Sequence, residues 1–108
     1  AGLLTGKYQG GAIPPGSRRS HVETLGGRIT PRVFGAVAAC HEVAGRFGID
    51  PVQMALAWAA RRPFVASAIF GATRLGQLEH ALGAAEVALT DELRAALDEV
   101  HRAHPMPY

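Results

Sequence analysis

The feature that most constrains the fold is the short apolar run VASAIF at Val65–Phe70. Six residues are too few for a buried helix, and the run does not alternate with polar residues, so it predicts a strand buried on both faces. Gly71 interrupts the run, and Thr73 can cap a helix. The leucines that follow share one helical face: Leu75, Leu78 and Leu82. The stretch therefore predicts a turn from a buried strand into a helix.

Cap residues predict three further helices, in segments 30–48, 50–63 and 89–105. Thr30 and Asp50 each precede a proline, which is the preferred arrangement of a cap and the first helical residue. The third segment begins Leu-Thr-Asp-Glu and continues with apolar residues at helical spacing. We therefore expect three helices in addition to the one that follows Thr73.

The N-terminal third lacks any helical or strand period. Residues 1–8 are typical of the end of a strand that runs into a loop, and residues 10–32 are rich in Gly, Pro, Ser and Arg. Loops of this length in compact domains are usually binding segments or disordered linkers. The Arg18–Arg19 pair predicts anion contact by this loop, and of the two Arg19 is expected to be solvated.

One doubly buried strand and one strand remnant cannot form a parallel sheet. The element order therefore predicts an α/β fold: the C-terminal part of a larger protein, comprising the last two βα units and the C-terminal helix of a (β/α)8 barrel. The alternative is a small helical protein with an apolar hairpin.

The charge and the apolar content of the chain exclude some classes of binding partner. The chain has 108 residues and a formal net charge of +2, and its arginines are scattered among acidic residues. This predicts no nucleic-acid partner, and the absence of an apolar stretch near 18 residues predicts no membrane partner and a cytoplasmic location. Cys40 is expected to fill the core, as are Met54 and Trp58. The five histidines show no metal-ligand spacing, so no metal is expected.

Four stretches together resemble the aldo-keto reductase family, and most closely its bacterial Tas-type members related to potassium-channel beta subunits. They are GLLTGKY at 2–8, IPPGSR at 13–18, DPVQMALAW at 50–58 and IFGATRLGQLE at 69–79. Their order and their spread over nearly the whole chain carry the resemblance.

The resemblance implies a barrel that binds NADP(H) in extended form and reduces aldehydes or ketones by hydride transfer. Residues 1–108 would be a partial oxidoreductase domain, with the loop at 10–32 covering the cofactor. The catalytic Asp, Tyr, Lys and His of the family come from the first half of the barrel, so the resemblance implies no catalytic residue here and an inactive segment in isolation. The alternative is a non-catalytic truncated product or a nucleotide-sensing interaction module.

The resemblance also assigns cofactor-binding residues. Ala1, Gly2 and Leu3 would line the pyrophosphate and nicotinamide side, Lys7 would contact the phosphates, and Arg18 would approach from the long loop. The residues matching the motif for the 2′-phosphate and adenosine are Gly71, Thr73, Arg74 and Gln77. His80 and Ala81 depart from the usual Glu and Asn, which weakens the expected adenine contact.

The chemistry of the 71–77 turn suits a phosphate. Unpaired N–H groups and the positive end of the helix dipole favour an anion where a helix begins. Gly71 permits close backbone approach, Thr73 adds a hydroxyl, and Arg74 adds a forked cation matched to phosphate oxygens. The alternatives are an ordinary glycine turn with a threonine cap and a solvated arginine, and for Lys7 a structural pair with an acidic neighbour.

Overall fold

The computed structural model describes all residues from 1 to 108 and contains helices but no strand. The α-helices are α1 (Pro31–Phe47), α2 (Pro51–Ala60), α3 (Leu75–Leu82) and α4 (Asp91–Ala103). Four short 3₁₀ helices span Leu3–Thr5, Gln9–Gly11, Arg18–Ser20 and Gly83–Glu86. No helix is long and apolar enough to cross a membrane.

The predicted caps of α1, α2 and α4 are confirmed. The Thr30 side chain accepts a hydrogen bond from the Val33 amide, and Gly48 ends α1 in the left-handed conformation, with φ of 64°. Asp50 caps α2 by accepting from two backbone amides, and Thr90 caps α4 by accepting from the Leu93 amide. These signals are local in sequence, which is why they define the helix ends reliably.

The core lies where α1, α2 and α4 meet. Its buried members are Val43, Ala44, Met54, Leu93, Ala96 and Leu97. Trp58 packs against this cluster while partly buried, so the prediction that Met54 and Trp58 are core residues is confirmed. Cys40 is half-buried, and burial raises the pKa of its thiol.

The strand predicted at Val65–Phe70 does not form. Residues 66–72 take part in no backbone hydrogen bond, and Ile69 is 96% exposed. A strand is stabilised by hydrogen bonds to a neighbouring strand, and this chain supplies none. Residues 1–8 likewise form a 3₁₀ turn rather than a strand end. Neither a βα unit nor an apolar hairpin is therefore present.

The loop predicted at 10–32 extends to Thr30 and holds only short 3₁₀ turns. The expectation that Arg19 is solvated is wrong. The Arg19 side chain is buried and donates hydrogen bonds to the carbonyl oxygens of Gly11, Ala12 and Glu23. Arg18 is exposed and forms no such bonds. The loop is thus folded around one of its two adjacent arginines.

Candidate functional site

The turn that leads into α3 presents unpaired donors. The backbone amides of Arg74, Leu75 and Gly76 donate no hydrogen bond to any other group of the chain. Such amides at a helix start are the groups that bind anions at helix N-termini. The turn therefore has the backbone arrangement that the sequence led us to expect.

Thr73 is not the cap residue of α3, contrary to the sequence prediction. Arg74 occupies the cap position in an extended conformation and makes no capping hydrogen bond. The Thr73 amide instead donates to Gln77 Oε1 at 2.9 Å, and the Thr73 hydroxyl lies 3.2 Å from the same oxygen. Gln77 thus folds back over the start of the helix and fixes Thr73 beside Arg74.

The Arg74 side chain is exposed and has no hydrogen-bond or ion-pair partner. It borders a groove of about 460 Å³. Phe70, Leu75 and Leu78 form the apolar part of the groove lining. An arginine beside an apolar groove can bind a ligand that has both a charged group and a flat apolar ring.

A second group of predicted residues lies at the N-terminus. The positive charges of Arg18, Arg28 and Lys7 lie close to Ala1. Arg28 was not predicted from the sequence, because no motif marks it. The cluster is electropositive and can attract an anion.

Lys7 lies close to Gly2 and to the ring of Tyr8. Its Nζ is 5.1 Å from the centre of the Tyr8 ring. Gly2 has φ of 80°, and a Cβ placed there would be 3.0 Å from Lys7 Cε. No carboxylate pairs with Lys7, so the alternative of a structural ion pair is not realised. Leu3 begins the adjacent 3₁₀ helix.

No hydrogen bond or ion pair joins the two groups. The structure brings Ala1, Gly2, Lys7 and Arg18 together at one place, and it brings Gly71, Thr73, Arg74 and Gln77 together at another. No cluster of three or more His, Cys, Asp or Glu residues could hold a metal ion.

Comparison with known proteins defines the class. Residues 1–102 match the Aldo/keto reductase family, so the chain belongs to that family. The family fold is a (β/α)8 barrel, and this chain supplies only a part of it.

Among its relatives, the chain is 40% identical to "Protein tas" of Escherichia coli strain K12, in an alignment that covers 98% of this chain and 31% of the relative. It is 34% identical to a "Probable voltage-gated potassium channel subunit beta" of Arabidopsis thaliana, covering 97% of this chain and 34% of the relative. It is 36% identical to an "Uncharacterized oxidoreductase" of Mycobacterium tuberculosis strain H37Rv, in an alignment that covers 94% of this chain and 31% of the relative. The chain thus spans about a third of the length of these relatives, and the expected likeness to Tas and the channel subunits is confirmed.

Proposed function

We propose that the protein carrying this chain is an NADP(H)-dependent aldo-keto reductase that reduces aldehydes or ketones. Membership of the family and the mycobacterial relative named as an oxidoreductase support this proposal. The reduced nicotinamide, when bound, supplies a hydride to the carbonyl carbon. The part proposed for this chain is to hold the cofactor rather than to transfer protons.

The observation that carries the proposal is the unpaired Arg74 at the start of α3. Its guanidinium and the free amides of 74–76 would hold the 2′-phosphate, which bears nearly two negative charges. Gly71 has no heavy atom near the position of a Cβ, and Thr73 and Gln77 are held together by hydrogen bonds next to Arg74. These four residues form the proposed site for the 2′-phosphate and adenosine.

The N-terminal group would hold the rest of the cofactor. Lys7 and Arg18 are cations without carboxylate partners, and they would contact the phosphates of the pyrophosphate bridge. Ala1, Gly2 and Leu3 would line the path toward the nicotinamide. The loop at 10–32, folded around Arg19, would cover the cofactor.

Replacement of Arg74 tests the phosphate assignment. A hydrogen bond to a charged group contributes about 1.5–3 kcal/mol, which corresponds to roughly 10- to 100-fold in affinity. Arg74→Ala in the full-length protein should therefore weaken NADPH binding by about that factor and leave NADH binding nearly unchanged. Fluorescence titration of both nucleotides at two ionic strengths measures this.

Arg102 provides the matched control, since it is another exposed arginine without an ion-pair partner. Arg102→Ala should change neither affinity. Equal losses for NADPH and NADH in the Arg74 variant, fading steeply with salt, would identify ordinary surface charge and contradict the proposal.

A second candidate function is a nucleotide-sensing subunit without turnover. The names of the plant and fission-yeast relatives as potassium channel beta subunits favour it. Nucleotide binding with no reduction of any aldehyde by the full-length protein would support this candidate over the reductase.

A further inference from the structure

Arg19 is the only buried arginine of the chain, with 8% of its surface exposed. Its guanidinium donates to the carbonyl oxygens of Gly11, Ala12 and Glu23 at 2.6, 2.9 and 3.0 Å. No carboxylate pairs with it, although buried charges in proteins are normally paired with opposite ones. The side chain is therefore held by backbone groups alone. We call these three hydrogen bonds the Arg19 bridge.

The Arg19 bridge joins the two sides of a turn. Gly11 and Ala12 precede the 3₁₀ helix at Arg18–Ser20, and Glu23 follows it. The acceptors lie only four to eight positions from Arg19. The bridge is thus complete within the loop, and its hydrogen bonds require no part of the protein outside this chain. A neighbouring part of a barrel could cover the loop without replacing them.

The bridge determines the direction of the adjacent Arg18. Successive side chains of a 3₁₀ helix are about 120° apart, because the helix has three residues per turn. With Arg19 directed into the loop, the Arg18 side chain is exposed, and its charge lies close to Ala1. The Arg18 carbonyl oxygen accepts from the amides of His21 and Val22, so the turn is also hydrogen-bonded within itself. Fixing Arg19 therefore fixes Arg18.

We propose that Arg19 is a positioning residue, which holds Arg18 where it contacts the pyrophosphate bridge of the cofactor. This inference rests on the proposed function. Arg19 does not touch the cofactor itself, because its guanidinium is buried and bound to carbonyl oxygens. The pyrophosphate is common to NADPH and NADH. Loss of the Arg19 bridge should therefore weaken both nucleotides equally, whereas Arg74→Ala should weaken NADPH alone.

Two substitutions of Arg19 in the full-length protein separate geometry from charge. Arg19→Gln removes both, whereas Arg19→Lys keeps the charge and replaces the planar fork by a single ammonium group. Each should raise the Kd of NADPH and of NADH by about three- to tenfold, measured by fluorescence titration. Arg102→Gln makes the same change at an exposed arginine outside the loop and should alter neither Kd. Wild-type affinity in Arg19→Lys would show that charge alone suffices and would overturn the positioning role.

A pair of glycines tests the acceptor side of the bridge without removing an arginine. Gly11 and Gly27 have φ of 83° and 81°, and neither has a heavy atom within 4 Å of the position of a Cβ. Alanine at either position meets the same backbone strain, but only the Gly11 carbonyl oxygen accepts from Arg19. Gly11→Ala should therefore raise both Kd values, and Gly27→Ala should raise them less. Equal effects would attribute the loss to strain in the loop and contradict the inference.

A double variant tests whether Arg19 acts through Arg18. Arg18→Ala/Arg19→Gln should bind both nucleotides no more weakly than Arg18→Ala, because the second change removes the support of a side chain that is already absent. Losses that add in the double variant would show that Arg19 acts by another route and would overturn the positioning role.

Hydrogen exchange of the cofactor-free protein separates this inference from the proposed function. The amides of residues 17 and 20–22 are hydrogen-bonded within the turn, and their exchange should be faster in Arg19→Gln than in wild type or Arg102→Gln. Unchanged exchange would overturn the Arg19 bridge. Faster exchange with unchanged affinity, while Arg18→Ala loses affinity for both nucleotides, would overturn the positioning role alone. Unchanged affinity in Arg18→Ala would instead contradict the proposed function at the pyrophosphate.

Discussion

Asp50 combines two roles in one carboxylate. It caps α2 through the amides of Val52 and Gln53, and it meets the imidazole of His80. All these contacts favour the ionised form, and together they overcome the opposing effect of burial, so the pKa lies below its usual value of 3.8. A lowered pKa means that the ionised carboxylate stabilises the folded state.

The pH dependence of stability follows from this shift. Because the folded pKa is below the unfolded pKa, the contribution of Asp50 is complete above about pH 4 and is lost as pH falls through the folded value. Asp50→Asn retains the cap without the charge. In the full-length protein, thermal unfolding of this variant should differ from wild type by no more than about 1 kcal/mol near neutral pH, because the pair is partly exposed. The difference should disappear toward about pH 2, and a difference that grew on acidification would contradict the assignment.

The adjacent arginines show what the sequence cannot predict at the residue scale. Arg18 and Arg19 lie in the same polar loop, and the resemblance marked only the first of them. The carbonyl oxygens that accept from Arg19 belong to residues four to eight positions away, in a segment that holds only short 3₁₀ turns. Such contacts depend on the conformation of the complete loop, and no local sequence pattern predicts that conformation.

At the scale of elements, predictability follows the range of the stabilising contacts. The ends of α1, α2 and α4 depend on caps that lie within three residues of the groups they satisfy, and they were predicted correctly. The α3 start lies one residue later than predicted, and the Thr73 hydroxyl donates to Gln77 Oε1 instead of accepting from a helix amide. The strand at Val65–Phe70 depends on a partner strand, and this chain holds none. The helices could therefore be predicted from local signals, whereas a strand at Val65–Phe70 would require a partner strand, and this chain forms none.

Substitution of Ile69 tests whether this segment is a strand in the full-length protein. Ile69 is 96% exposed here, so Ile69→Asp should leave the unfolding of the 108-residue chain almost unchanged. In the full-length barrel the same aspartate would be buried without a partner and should cost several kcal/mol, on the order of 3–5. Thermal denaturation of both proteins with and without the substitution measures the contrast. A full-length variant as stable as its parent would contradict the prediction that residues 65–70 form an interior strand.

At the scale of the whole molecule, the chain exposes more surface than a folded monomer of its size. Its accessible area is 6972 Å², whereas a compact monomer of this mass exposes roughly 5800 Å². Large apolar side chains contribute to the difference, and many lie in the segment from 64 to 82: Phe64, Ile69, Phe70, Leu75, Leu78 and Leu82. Apolar surface concentrated in one segment usually marks a surface that another part of a protein covers. The relatives matched by this chain are about three times as long.

This surface and the resemblance lead to one expectation for the isolated 108-residue chain. Only 15 of its residues are buried, so the chain should be marginally stable, and the resemblance assigns the proton-transferring residues to a preceding part of the barrel. We therefore expect no reduction of a panel of aldehydes by the purified chain with NADPH, measured as loss of nicotinamide absorbance.

The full-length protein under the same conditions is the positive control. Its Arg74→Ala variant should recover turnover at raised NADPH concentration, because that change weakens binding rather than proton transfer. Turnover by the isolated chain above the protein-free rate would show that catalytic groups lie within these 108 residues, and the assignment of this chain to cofactor binding alone would then be wrong.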